Sequence, residues 1–211
     1  MWEDKNRELH GSLDEKALNG YCNYIAGNVC LDDENVLSIG CGDGTVDNYL
    51  MSNYSIRSIS GFDFSYTNIA RAKEKNIGKY WVQSFLDDYP NCDSYTFVYS
   101  LGVVQYCAPC DLPIFFKKQI DSFHSAGTYR FFHVDIPDIS KADRWYNMYS
   151  KLSKEYIRKR CDSVKYIFYD GSFWHDMDEI QKKLSSLGAK AIRVIDGPGQ
   201  YRSSVYFEIV K

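Results

Sequence analysis

The apolar positions along this chain alternate between two rhythms. From Leu13 to Val29, the residues Leu13, Ala17, Leu18, Tyr21, Ile25 and Val29 recur at helical spacing and share one face. Asn35-Val36-Leu37-Ser38-Ile39 is then a short apolar run ending at Gly40, which predicts a buried strand. A helix is expected from Gly44 to Met51 and a second strand over Ser58–Phe62, ending at Asp63. Ser65 to Lys75 reads as a helix with Ser65 as its N-cap, and Tyr80–Gln83 as a third strand. The alternation continues with a fourth strand over Tyr95–Tyr99, a helix over Leu112–Phe123 and a fifth strand over Tyr129–Val134. Pro137 is expected to stop the pairing and turn the chain outward. A tyrosine-rich insert, helical over roughly Lys141–Lys159 and extending to about 176, follows. Asp178–Leu187 is a helix closed by Gly188, and two strands, Ala191–Ile195 and Val205–Val210, finish the pattern.

Strands that alternate with helices specify an α/β fold with a mostly parallel sheet. The last two strands are separated only by a Gly/Pro turn, Asp196-Gly197-Pro198-Gly199-Gln200. A parallel crossover needs about a dozen residues or more, so this connection permits only an antiparallel neighbour. The expected architecture is Rossmann-like. Seven strands form a mostly parallel sheet with one antiparallel strand near its C-terminal edge, and helices cover both faces.

The chain has 211 residues and fits a single domain, 1–211. A net charge of -3 and the lack of a basic stripe argue against nucleic acid as partner. The basic run Lys151–Arg160 is interleaved with Leu152, Tyr156 and Ile157 and reads as a solvated helix face. No stretch has the roughly 20 apolar residues of a membrane span, and Met1–Lys5 shows no export signal. Seven irregularly spaced cysteines fit reduced thiols and a cytoplasmic location. Cys107-Ala108-Pro109-Cys110 lacks a second ligand pair, so no metal is expected.

Two segments carry the chemistry. In Val36-Leu37-Ser38-Ile39-Gly40-Cys41-Gly42-Asp43-Gly44 a buried strand enters a glycine-rich turn and then a helix. Glycines permit a left-handed backbone and let a ligand approach it closely. About 20 residues on, Asp63 ends the next strand, where a carboxylate accepts hydrogen bonds from both hydroxyls of a ribose. The same acid also suits a helix N-terminus, and the two readings are compatible.

These segments resemble the class I S-adenosylmethionine (SAM)-dependent methyltransferases, and the resemblance covers nearly the whole chain. Val36–Gly44 resembles their first motif, VLDIGCGxG, and Gly61–Ser65 their second. Trp81–Asp88 resembles the third-strand segment beside the adenine, and Ser94–Tyr106 the fourth-strand motif. Gly102-Val103-Val104-Gln105-Tyr106 is similar to small-molecule members. The resemblance implies that Gly40, Cys41, Gly42 and Gly44 line the methionine and ribose part of SAM. It implies that Asp63 binds the ribose and Phe64 packs on the adenine. Ser84, Phe85 and Leu86 would edge the base, and Ser100, Leu101 and Gly102 would lie under the sulfonium. Two positions depart from the pattern. The family usually has acids where Ser38 and Phe85 stand, and both changes remove a polar contact.

On the acceptor side, ligands of open α/β sheets bind at the C-terminal strand edge. Tyr106, His133 and Asp135 are therefore the candidate catalytic residues. His133 is either a base, with an imidazole pKa in the useful range, or a buried strand histidine. Phe131–Asp138, with its Asp-Ile-Pro, resembles members that modify bacterial surface sugars. Trp174, His175, Tyr201 and Arg202 are candidates to wall the acceptor pocket, and an arginine suits an anionic group. The 141–176 insert is expected to cover it. The Asn/Asp-Pro-Pro-Tyr/Phe signature of base amino methylation is absent, since the place reads Ser100-Leu101-Gly102-Val103. The expected activity is O-methylation of a small polar or anionic acceptor in capsule or surface-polysaccharide synthesis, such as a sugar, a nucleotide-linked sugar or a phosphate-type group, by a monomer or homodimer. N-methylation of a small metabolite, a non-catalytic SAM-binding module and a dehydrogenase-like dinucleotide binder remain alternatives. The last lacks a catalytic Tyr-Lys or His pair in this sequence.

Overall fold

The computed structural model of the protein describes residues 13–144, 168–169 and 172–211. Seven strands form one sheet in the order β3-β2-β1-β4-β5-β9-β8. These are β1 (Asn35–Ile39), β2 (Ser58–Asp63), β3 (Gly78–Val82), β4 (Phe97–Leu101), β5 (Thr128–Pro137), β8 (Lys190–Asp196) and β9 (Arg202–Val210). β6 (Phe168–Tyr169) and β7 (Ser172–Phe173) pair separately with each other. β9 is antiparallel to both β5 and β8. This is the Rossmann-like, mostly parallel sheet with one antiparallel strand that the connection lengths require. Most of the expected insert lies outside the described residues.

The chain divides into two compact units. The first runs to Asp87 and includes Tyr95–Val98. In it β1, β2 and β3 pair in parallel, and β1 is apolar because four of its five residues are buried. The helices are α1 (Glu15–Asn28), α2 (Thr45–Asn53) and α3 (Tyr66–Glu74). α1 starts where the Asp14 carboxylate accepts the Ala17 N–H at 2.7 Å, which satisfies one of the orphan donors of a helix start. α3 starts the same way, with Ser65 Oγ accepting the Asn68 N–H at 3.3 Å. Cys22 and Ile25 from α1 and Leu50 from α2 are fully buried, each apolar side chain worth about 1.5–3 kcal/mol when removed from water.

The second unit holds Asp88–Ser94 and Tyr99 onward. Its helices are α4 (Leu112–Asp121) and α5 (Met177–Ser186). Its core is aromatic. Phe131 and Phe207 face each other in the β5–β9 register with stacked rings 4.6 Å apart, and Phe116 meets Phe207 edge-on. Asp176 caps α5, and Gly188, at φ 85°, closes it.

Two local expectations are corrected. β4 begins two residues later than the apolar pattern suggests, at Phe97. Thr96, just before it, takes the Asn35 N–H on its hydroxyl at 3.0 Å. Pro137 does not stop the pairing, because it remains in register with Arg202. Proline removes only an N–H from the ladder, and its carbonyl accepts the His175 N–H at 2.9 Å. What breaks the ladder is a bulge just before it. His133 pairs with Val205 and Ile136 with Ser203, so β5 carries one extra residue there.

Candidate functional site

The loop after β1 is left-handed at Gly40, Gly42 and Gly44, with φ of 65°, 56° and 74°. Side chains with a Cβ rarely adopt this region. The glycines serve different ends. A Cβ on Gly44 would lie 3.2 Å from the Cβ of Ala72, so packing of α3 requires that glycine. A Cβ on Gly42 would meet nothing within 4 Å, so here the loop leaves open space beside its backbone. Asp63, at the end of β2 and only 7% exposed, ties this loop down. Its Oδ2 accepts the Gly42 N–H at 3.1 Å, and its Oδ1 accepts the Ser65 N–H at 2.9 Å. Burial raises the Asp63 pKa, while these amide bonds and the Asn68 side chain oppose the rise. A carboxylate has about four acceptor positions, so after these three bonds about one remains for a ligand hydroxyl. A cradle with a fixed carboxylate at its rim fits the ribose end of a nucleoside.

The neighbours are less uniform. Phe64 is half exposed and Tyr66 is exposed, which leaves ring surface beside Asp63. Ser84, Phe85 and Leu86 form a partly buried turn after β3. There Ser84 Oγ takes the Leu86 N–H at 3.2 Å and the Ser84 N–H reaches Asp87 at 3.0 Å. The Cys41 side chain does not line the loop. It packs with Ile69, Ala72 and Tyr80, and burial pushes its thiol pKa up. A Cβ on Gly61 would come within 2.8 Å of the Cys41 Cβ, so the two residues are fitted to each other. Ser38 is buried in β1. Lys75 reaches across to the loop, donating to the Asp43 carbonyl at 2.7 Å.

In the second unit, β4 and β5 end in a polar cluster. Asp135 occupies the bulge with φ 68°, a left-handed conformation that costs a non-glycine residue on the order of 1 kcal/mol or more. Gly102, at φ 67°, follows β4, and its N–H donates to the Val134 carbonyl at 3.0 Å. A Cβ on Gly102 would sit 3.9 Å from Asp135 Oδ2. Arg202, at the start of β9, donates from one Nη to Gln105 Oε1 at 2.8 Å and to the Asp135 carbonyl at 3.3 Å. Its Nε lies 3.8 Å from Asp135 Oδ1. The guanidinium also lies over the Tyr201 ring at 4.9 Å, and Tyr201 stacks on Trp174 at 5.7 Å. Tyr106 ends the 3-10 turn Val104–Tyr106 and is about a third exposed.

Two histidines are placed differently from their expected roles. His133 has no exposed surface and sits among Phe115, Phe116 and Phe207. Its Nδ1 is 2.8 Å from Ser100 Oγ, and burial lowers its pKa to about 3. It is a neutral core residue, the second of the two sequence readings, with no surface to offer an acceptor. His175 is 2% exposed and donates from Nε2 to the Val104 carbonyl at 3.0 Å, with its pKa lowered to about 4 by burial. It braces the wall of a small pocket that Trp174, Glu179 and Lys183 also line. Of the sequence candidates, Asp135, Tyr201, Arg202 and Gly102 form the polar cluster, with Trp174 behind Tyr201. The sequence pattern does not mark Gln105 or Ser172 as site residues. The available signal is the Gly102-Val103-Val104-Gln105 turn, whose length lets Gln105 Nε2 donate to the Gly102 carbonyl at 2.8 Å. Among the described residues, no three His, Cys, Asp or Glu side chains are grouped to hold a metal ion. No helix among them is long and apolar enough to cross a membrane.

A family model described as a methyltransferase domain matches residues 36–127, the span from β1 to just before β5. The chain is similar to magnesium protoporphyrin IX methyltransferase (ChlM) of Synechocystis PCC 6803, solved with bound SAH, at 14% identity and a TM-score of 0.65, over 97% of this chain and 92% of that one. It is similar to the mitomycin 7-O-methyltransferase MmcR at 12% identity and a TM-score of 0.68, over 99% of this chain and 59% of that one. A putative S-adenosylmethionine-dependent methyltransferase of Listeria monocytogenes matches at 16% identity and a TM-score of 0.61, over 92% of this chain and 97% of that one. No curated protein matches the chain in sequence. The chain has the fold of these methyltransferase structures, and its residues 36–127 match the methyltransferase-domain family model.

Proposed function

We propose that this protein transfers a methyl group from SAM to an oxygen of a small polar or anionic acceptor. The observation that carries the donor side is Asp63, fixed by the Gly42 and Ser65 N–H groups beside an open glycine cradle. Gly40, Gly42, Gly44 and Asp63 would hold the donor, with Phe64 against the adenine and Ser84 to Leu86 at its edge. Bound SAM supplies an electrophilic methyl carbon on a sulfonium sulfur. Cys41 supports the loop from behind.

On the acceptor side Asp135 is the general base. Its carboxylate would accept the hydroxyl hydrogen bond and take the proton as the O–C bond forms and the methyl–sulfur bond of the donor breaks, leaving the thioether product, a role worth about 10²–10⁴-fold. Arg202 orients the acceptor, and Tyr106, with Trp174 and Tyr201, bounds the space around it. Alignment contributes the larger share, roughly 7–11 kcal/mol in well-oriented reactions. The acceptor class we favour is a sugar or nucleotide-linked sugar of surface-polysaccharide synthesis, supported by the Asp135-Ile136-Pro137 segment and the arginine. The solved relatives include methyltransferases of a magnesium porphyrin and of mitomycin, so other ring-shaped acceptors compete with this choice. Ser38, where an acid is usual, favours a second reading, a SAM-binding module without turnover.

Calorimetric titration with S-adenosylhomocysteine (SAH) tests the donor site, with NAD as control and Asp63→Ala as second sample. Micromolar binding of SAH alone, weakened in the variant, is the expected result. Preference for NAD, or no binding, would overturn the proposal. Release of SAH with a sugar or sugar-nucleotide panel then separates turnover from mere binding.

A further inference from the structure

Resting on the methyl-transfer reading, we infer that Arg202 and Asp135 select an acceptor with an anionic group, such as a carboxylate, next to the reacting hydroxyl, and that Gln105 is the positioning residue for that selection. The argument begins with unused hydrogen-bonding capacity. A guanidinium has five N–H donors in a planar fork. Among the described residues, Arg202 makes its hydrogen bonds through Nη1, to Gln105 Oε1 and to the Asp135 carbonyl. Its Nε is 3.8 Å from Asp135 Oδ1, beyond hydrogen-bond distance. The edge formed by Nε and Nη2 is the one that binds a carboxylate with two parallel bonds.

Opposite this edge, Asp135 Oδ1 is buried and has no hydrogen-bond partner among the described residues. The donor edge of Arg202 and the buried Asp135 Oδ1 thus lie side by side as an ion pair at 3.8 Å, with no hydrogen bond between them. Hydrogen-bonding groups left unmet in this way are unfavourable, charged ones most of all. A ligand with a hydroxyl next to a carboxylate meets both. The hydroxyl donates to Asp135, and the carboxylate takes the arginine edge. A neutral polyol leaves the arginine edge unmet and is disfavoured for that reason.

Gln105 fixes the arrangement. Its Nε2 donates to the Gly102 carbonyl at 2.8 Å, which turns its Oε1 towards Arg202. The same Oε1 also accepts the Ser172 hydroxyl at 3.1 Å. A neutral amide oxygen holds the guanidinium without cancelling its charge. A carboxylate at this position would pair with Arg202 directly and lose the bond to Gly102. The Tyr201 ring under the guanidinium keeps its plane fixed. The recognised chemistry is a ring bearing a hydroxyl beside a carboxylate, whether a sugar acid or a hydroxyarene acid.

The test uses the full chain saturated with SAH. Two pairs of probes differ by the acid group: glucuronate against glucose, and 2-hydroxybenzoate against phenol. Affinities are read by calorimetry, and the site by the Arg202 Nε–Hε signal in ¹⁵N NMR. We expect at least one acid to move the Arg202 signal and to bind about tenfold or more tightly than its neutral partner. The acid that binds better identifies the source. Gln105→Glu should abolish the preference while SAH affinity stays unchanged. Arg202→Lys keeps the charge and loses the fork, and should also weaken acid binding. The inference is overturned if neither acid perturbs Arg202 at millimolar concentration, if neutral probes bind as well, or if both variants keep the preference. In those cases SAH binding persists and the methyl-transfer reading stands. Loss of SAH binding in the parent protein instead removes that reading and the inference with it.

Discussion

Asp63 and Gly42 are joined by a hydrogen bond of 3.1 Å that links the end of β2 to the middle of the loop after β1. The residue expected to hold the donor therefore also sets the shape of the loop beside it. Asp63→Asn keeps one acceptor oxygen and presents an NH₂ where the other stood. It should lose about 1–3 kcal/mol of stability, because a backbone N–H then loses its partner. SAH affinity should fall by more than tenfold. Chemical denaturation and calorimetry on the same sample separate the two losses. Equal SAH affinity in both proteins would remove Asp63 from the donor site.

The glycines of the loop should separate in the same experiments. Gly44→Ala combines a φ of 74° with a contact of 3.2 Å to Ala72, so it should destabilise by about 2 kcal/mol or more. Gly42→Ala meets no neighbour, so its penalty is backbone strain alone, about 1 kcal/mol. Gly42→Ala should nevertheless weaken SAH binding strongly, because its methyl group enters the cradle. A Gly42→Ala protein with unimpaired SAH binding would show that the open space is not the donor's.

The fold was largely legible because its evidence is periodic. Val36–Ile39, Ile59 and Phe62 are strand core, and the short turn after Asp196 allowed only an antiparallel ending. The first half of the site was legible too, since Gly42, Gly44 and Asp63 lie within one unit of β-loop-α-β chain. The second half was not. Whether His133 faces a phenylalanine cage or a ligand depends on β-sheet parity, and the bulge after it changes that parity without a sequence marker. Gln105 acts on Arg202, a residue far away in sequence, through a contact that no local pattern announces. Cys41 sits inside a ligand motif, yet its side chain belongs to the α3 core.

Burial makes His133 a source of acid sensitivity. The folded protein holds it neutral, with the pKa lowered to about 3, whereas an unfolded chain protonates it near 6.5. Between those values the unfolded state binds more protons, so stability is complete above pH 6.5 and declines as pH falls. The contribution lost between pH 7 and pH 5 is about 2 kcal/mol. His175, lowered to about 4, adds a similar slope. His133→Asn keeps a partner for Ser100 and should flatten roughly half of the dependence, read from denaturation midpoints across that range. An unchanged slope would mean His133 is solvated.

Asp135 should show opposed effects on stability and turnover. Asp135→Gly relieves a left-handed non-glycine residue, so the variant should unfold no earlier than the parent. Once an acceptor is known, its turnover should fall by about 10²–10⁴-fold through loss of the base. A marked drop in melting temperature would assign Asp135 a structural role instead.

The extra residue in β5 makes chain length itself a control. Because side chains alternate across a strand, removing one residue between His133 and Ile136 leaves the β5–β9 pairing regular on both sides and erases the place where Asp135 stands out of the ladder. Such a shortened chain would keep the Phe131–Phe207 stack and lose the protrusion together with the Arg202 contacts that it carries. A single deleted codon, rather than any exchange of one side chain for another, should then leave a folded protein that binds SAH and shows no methyl transfer.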